Sequence, residues 1–168
     1  MKPLVLVDID GVLNPLGRPS ADFRRYRCVL EGETYTVHLN PRHGIWLLEL
    51  AVRAGAELVW ATTWEHHANE WIAPRLGLPA LPVIRVAQDR PSEVGEMFKT
   101  PHVAEYVRGR PFVWFDDLLF SADERYLRDH PDVGDFFLVQ IDPKTGLTRQ
   151  HFDLATEWLT LSGFSQGP

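Results

Sequence analysis

Apolar and polar positions in this chain follow two rhythms that take turns. Short apolar runs of strand character cover Pro3 to Val7, Glu57 to Ala61, Pro82 to Val86, Phe112 to Phe115 and Phe136 to Ile141, and segments of helical spacing lie between them. Gly44 to Ala54 carries Ile45, Leu48 and Val52 on one side with Leu47 and Leu50 flanking, and Gly55 is placed to stop it. Trp64 to Leu76 reads as the next helix. Thr100 to Arg108 opens with Thr100-Pro101, which puts a proline in the first turn, where its missing N–H is no loss. Ser121 to Asp129 begins with a capping residue, and Ser121-Ala122-Asp123-Glu124 fits a capping box. Asp153 to Leu161 closes the series. Strands alternating with helices predict an α/β protein whose parallel sheet is flanked by helices.

One stretch breaks the alternation. Within residues 15 to 42, Tyr26 to Leu30 and Thr34 to Leu39 are strand-like and are joined by Glu31-Gly32-Glu33, which predicts a β-hairpin inserted after the first strand. Such a hairpin would overhang the C-terminal edge of the sheet, where open α/β sheets bind ligands. A length of 168 residues suits a single domain, 1–168, carrying this insert. Ser162 to Pro168 is a small, polar tail expected to fray.

Charge and cysteine content narrow the setting. A net charge of −6 argues against broad adhesion to nucleic acid or anionic membrane, although Arg18, Arg24, Arg25 and Arg27 form a local basic group. The simplest reading of that group is a solvated, arginine-rich loop; the sharper one is a site for additional phosphates. Cys28 is the single cysteine, so an intrachain disulfide and a multi-thiolate zinc site are excluded and a packed thiol in a reducing cytoplasm is expected. No apolar stretch has the roughly 18 residues of a membrane span, and the first apolar run ends at Asp8, unlike a signal peptide.

The candidate chemistry sits where strands end. Asp8-Ile9-Asp10-Gly11-Val12 follows Leu4-Val5-Leu6-Val7 directly, so two carboxylates stand at the mouth of a buried strand, with Gly11 permitting a sharp turn. Like charges so close raise each other's pKa, and a hard divalent cation is the usual remedy. The second strand leads into Thr62 and Thr63, Lys99 precedes the helix begun by Thr100-Pro101, and the fourth strand ends in Asp116-Asp117. Taken singly, threonine pairs cap or turn, lysines are solvated and acidic pairs start helices. Their order, acid pair, hydroxyl, lysine, acid pair, is what carries meaning.

In that order the four segments resemble the motifs of the haloacid dehalogenase (HAD) superfamily, over about residues 3 to 120. The resemblance implies a three-layer Rossmann-like fold and a small phosphatase-type member with a minimal cap. Under it, Asp8 would be the nucleophile forming an aspartyl-phosphate, and Asp10 the general acid and base. Asp8, the main-chain carbonyl of Asp10, and Asp116 would hold Mg²⁺, with Asp117 a further ligand or a helix cap. Thr62 would bind the phosphoryl group, with Thr63 as its rival one residue away, and Lys99 would neutralise charge on nucleophile and phosphate. The acid at position 10 favours phosphatase or phosphotransferase over dehalogenase.

Between Lys99 and Asp116 there is no room for a cap, so the hairpin is the sizeable insert, with Gln88 to Met97 a loop that could lean over the site. The cleft should be open, accepting a phosphorylated small molecule or a phosphorylated nucleic-acid end. A non-catalytic module binding Mg²⁺ and a phospho-ligand is the rival function. His66 and His67, adjacent on the expected helix, would point about 100° apart and not share a metal. Trp60, Trp64 and Trp71 read chiefly as packing residues, with Trp64 also near enough to Thr62 to meet substrate.

Overall fold

The structure, a computed structural model, describes residues 1–86 and 91–163. The expected fraying of 164–168 and the placement of 88–90 in the loop before Lys99 lie outside the described residues. The elements run β1 (Leu4–Val7), β2 (Arg24–Leu30), β3 (Glu33–Leu39), α1 (Pro41–Ala54), β4 (Glu57–Trp60), α2 (Thr100–Val107), β5 (Phe112–Asp116), α3 (Ser121–Asp129), β6 (Phe136–Gln140) and α4 (Arg149–Leu161). β1, β4, β5 and β6 form a parallel sheet in the order β4-β1-β5-β6.

Every residue of β1 and β5 is buried, as expected of central parallel strands covered on both faces. Side-chain alternation then assigns the two faces. Val5 and Val7 join Leu47, Leu50, Phe152 and Leu159 beneath α1 and α4, while Leu4 and Leu6 join Val103, Val107 and Leu127 beneath α2 and α3. Val7 is in register with Trp60 and with Phe115, so the residues after them, Asp8, Ala61 and Asp116, form the next row at the C-terminal edge.

The hairpin forms as expected. Glu31 and Gly32, with φ of 51° and 83°, make the two-residue turn of I′ type whose twist suits flanking strands. Cys28 and Val37 on its inner face are buried in the α1-side core, where desolvation pushes the Cys28 thiol up from its usual pKa. A hydrogen bond from His38 N to Asn14 Oδ1 (2.9 Å) and the Tyr35 ring 6.3 Å from Trp64 set the hairpin beside the loops that leave β1 and β4.

Four sequence expectations are corrected. Pro82 to Val86 is no strand: Trp60 N donates to Pro82 O and Ile84 N to Trp60 O (both 2.9 Å), which gives a single bridge at Val83 along the outer side of β4. Pro79 and Pro82 bracket this edge and cannot donate to a ladder. Trp64 to Leu76 is not one α-helix but a series of turns, a π-helical stretch (Ala68–Ile72) and a 3₁₀ turn (Ala73–Leu76), because Pro74 removes a donor and crowds the preceding turn. α1 begins at Pro41, where Asn40 accepts from Arg42 N (3.0 Å), and it buries His43, Leu47, Leu50 and Ala54. Ile45, Leu48 and Val52 face solvent instead, since Gly44 lies so close to the Leu76 carbonyl that this face must turn inward. Finally, Ser121 does not cap α3. Phe120 occupies the cap position, and Asp123 accepts from its N–H (2.9 Å), one register away from the expected box. No described helix is long and apolar enough to cross a membrane.

Candidate active site

Asp8 leaves β1 with its Oδ1 accepting from Ile9 N (2.8 Å), which aims Oδ2 at Lys99 Nζ, 3.0 Å away. Lys99 is buried and its Nζ also donates to Asp116 Oδ2 at 2.8 Å, while Asp116 Oδ1 accepts from Leu118 N at 3.0 Å. Gly11 runs at φ +79°, and a Cβ there would overlap the Asp117 carboxylate. Only glycine lets the loop after β1 turn this tightly beside that acid. As a result Asp8, Asp116 and Asp117 each offer an oxygen within 4.8 Å of the others.

Three carboxylates around one ammonium leave negative charge in excess. Desolvation, and then Asp116, push the Asp8 carboxyl well above its usual pKa against the pull of Lys99. Desolvation followed by Asp116 raises Asp117 as well. Burial works to lower Lys99, but Asp8 and Asp116 outweigh it and hold the ammonium above its ordinary value. Clustered hard oxygen donors with surplus negative charge fit a small divalent cation, Mg²⁺ before softer metals.

Asp10 stands apart from this cluster. Its Oδ1 accepts from Asn14 Nδ2 and its Oδ2 from Trp64 Nε1, both at 2.9 Å. Asn14 is itself tied to the hairpin through His38 N, so the clamp on Asp10 reaches β3. Neither clamp residue was assigned this role from sequence. Asn14 shows only as a polar residue four places after Asp10, and Trp64 is separated from it by 54 residues.

Thr62 is fully buried beyond the end of β4, its Oγ1 accepting from Trp64 N (3.2 Å). Thr63 is exposed and lines a cleft of about 250 Å³ with Asp10, Trp64, Tyr35, Val37 and His67. A larger cavity of about 850 Å³ lies along β6, on the far flank of the sheet, and holds none of these groups.

Lys99 is positioned by a carboxylate that sequence reading passed over. Asp123, buried at the start of α3, accepts from Met97 N (2.7 Å) and Thr100 Oγ1 (2.7 Å) through Oδ1, and from Phe120 N (2.9 Å) through Oδ2. It thereby pins both sides of the Lys99 turn to the helix that follows Asp116-Asp117. The earlier part of this loop is tied by Glu96, which accepts from Glu93 N and Val94 N at 2.8 Å each and from Ser92 Oγ at 3.1 Å. His66 lies in a turn and His67 at the start of the helical stretch after it, with ring centroids 4.0 Å apart, and His67 Nδ1 meets Glu70 at 3.0 Å. The basic group divides: Arg18 lines a separate cavity, whereas Arg25 and Arg27 point outward from β2.

Comparison with curated proteins and with solved structures returned no match. A family profile described as the HAD domain in Swiss Army Knife RNA repair proteins matches residues 4–152, from the first residue of β1 into α4. The hairpin, the acidic cluster, Lys99, Asp123 and the Asp10 clamp all fall within that span. By the extent of this match, the chain belongs to the family of HAD domains of Swiss Army Knife RNA repair proteins.

Proposed function

We propose that the protein is a Mg²⁺-dependent phosphoryl hydrolase that removes a terminal phosphate from a nucleic-acid end through an aspartyl-phosphate on Asp8. The observation that carries this reading is Lys99 Nζ, held 3.0 Å from Asp8 and 2.8 Å from Asp116 beside a separately clamped Asp10. The family description, which names RNA repair proteins, favours a nucleic-acid end over a small phosphometabolite.

Asp8 Oδ would attack phosphorus as the P–O bond to the leaving group breaks, and Asp10 would give that oxygen its proton. Asp10 would then take a proton from water as the water oxygen attacks phosphorus, releasing phosphate and restoring the Asp8 carboxylate. Lys99 and the Thr62 hydroxyl would stabilise the oxygens that gain charge between these states. Asp8, Asp116 and Asp117, with the main-chain carbonyl of Asp10, would hold Mg²⁺, which supplies charge neutralisation and orients the phosphate. The Asn14 and Trp64 donors keep the Asp10 carboxylate in one orientation through both proton transfers.

Phosphate release from 5′- and 3′-phosphorylated oligoribonucleotides, nucleoside monophosphates and an aryl phosphate, with Mg²⁺ or with EDTA, tests the reading. Turnover that needs Mg²⁺ and disappears in Asp8→Asn supports it, and transfer to an acceptor other than water would reassign it as a phosphotransferase. Binding of phosphorylated ends without turnover under any condition would overturn it in favour of a recognition module.

A further inference from the structure

A second cavity, of about 310 Å³, opens beside the catalytic loop and contains none of the residues placed in the reaction above. Its walls are the loop after β1, the start of α1 and the loop between β6 and α4, all connections at the C-terminal edge of the sheet. In a chain of net charge −6, the cations Arg18, Lys144 and Arg149 converge there against the single carboxylate Asp22. Arg149 is engaged by Glu49 (3.4 Å) and Asp153 (3.2 Å) and lies over the Trp46 ring, 5.4 Å from its centroid. Arg18 and Lys144 have no ion-pair partner among the described residues. Phe23 and Trp46, both half-buried, add ring surface to the same recess.

The position of this recess relative to Asp8 is fixed. Leu16 N donates to Pro143 O (2.7 Å) and Leu147 N to Val12 O (2.8 Å), so the two walls are bonded to the loop that carries Asp8, Asp10 and Asn14. Arg18 follows Asn14 by four residues, a reach of at most about 14 Å. A ligand with one phosphate at Asp8 could place another here if its phosphates are strung along a backbone. Cations that meet phosphate, beside aromatic surface that can take an unstacked base, match single-stranded nucleic acid better than a duplex.

We propose that this cavity is a second phosphate subsite, holding an internal phosphodiester of a single-stranded polynucleotide whose terminal phosphate lies at Asp8. This rests on the phosphatase reading for the terminal phosphate, while the cavity's own binding can be measured without turnover. The experiment compares wild type with Arg18→Ala/Lys144→Ala by fluorescence anisotropy of a labelled oligoribonucleotide phosphorylated at the opposite end, across a salt series. KM and kcat are measured in parallel for that oligonucleotide and for a nucleoside monophosphate.

Loss of one single-strand phosphate contact lowers the slope of log affinity against log salt by about 0.7, so wild-type affinity should fall about 2.6-fold more than the variant's between about 50 and about 200 mM salt. KM should rise for the oligonucleotide alone, with kcat and the monophosphate parameters unchanged. An unchanged salt slope in the variant, or no oligonucleotide binding by wild type, overturns the subsite. If neither protein turns over any substrate but the slope still changes, the subsite stands and the phosphatase reading falls.

Discussion

Replacing Asp123 separates what this carboxylate does for stability from what it does for Lys99. Alanine removes three hydrogen bonds, to Met97 N, Thr100 Oγ1 and Phe120 N. A bond to a charged group contributes about 1.5–3 kcal/mol net. Met97 N and Phe120 N lie in partly buried bonds and can be rehydrated, which places them at or below the lower end. The Thr100 hydroxyl is fully buried and would be left unsatisfied. The sum for Asp123→Ala is about 3–4 kcal/mol, or a Tm lowered by about 10 °C in a chain of this size. Asp123→Asn can keep its oxygen at the Oδ1 position, which serves Met97 and Thr100, and turn its NH₂ toward Phe120. It then loses the helix-start bond, about 1 kcal/mol, and keeps the other two as weaker, neutral bonds. Urea unfolding at constant m measures both variants, and phosphate release reads the position of Lys99. The alanine variant should lose far more kcat than the asparagine variant. Equal destabilisation by the two, or an alanine variant within about 0.5 kcal/mol of wild type, would refute the argument.

Gly44→Ala should destabilise by about 2 kcal/mol in chemical denaturation, although alanine at an open helix position would gain about 1 kcal/mol, because its Cβ would overlap the Leu76 carbonyl oxygen. Trp64→Phe keeps an aromatic side chain but deletes the Nε1–H donor to Asp10 (2.9 Å) and part of a buried ring, so kcat should drop about tenfold with Tm lowered by a few degrees; an unaltered kcat would show that the clamp is dispensable. His43 is buried, with its Nε2 2.9 Å from Leu147 O, and desolvation holds its pKa down to about 4. The unfolded chain therefore binds a proton between about pH 6.5 and 4 that the folded chain does not, and stability should fall by up to about 3 kcal/mol as pH drops through that window. His43→Gln should flatten this part of the pH–stability curve, measured by urea midpoints; an unchanged slope would remove His43 as its cause.

Legibility from sequence followed the range of the forces involved. Asp8 and Asp116 could be read because a central parallel strand is an uninterrupted apolar run, and the charge that ends the run marks the sheet edge. The hairpin was equally plain, since Glu31-Gly32 is a local turn signal. Lys99 had no local signal and emerged only from the order of motifs. The buried face of α1 is not settled by periodicity, because the segment from Gly44 fits two stripes; the helix begins at Asn40-Pro41, and His43 in its first turn belongs to the stripe through Leu47, Leu50 and Ala54. Pro74 and Pro82 overrode apolar patterns that otherwise suggested a helix and a strand. Trp64 and Asp123 were hidden for a different reason: their partners lie 54 and 26 residues away, and no periodicity encodes a hydrogen bond across that distance.

Asp8, Asp116 and Asp123 are all buried acids near the C-terminal edge of one sheet, and residue type alone does not divide them into structural and chemical groups. Their donors do. Asp123 meets three N–H or O–H groups from the elements it joins, so its charge is matched where it sits and its loss should appear first as instability. Asp8 and Asp116 have one main-chain donor each and share a single ammonium, with Asp117 beside them adding a third carboxylate. Folding alone leaves that deficit in place, and burial, followed by the Asp116 charge, holds the Asp8 carboxyl above its usual pKa. A divalent cation would correct it by adding positive charge among the oxygens. The same shortfall that makes the cluster costly to bury therefore makes it able to bind.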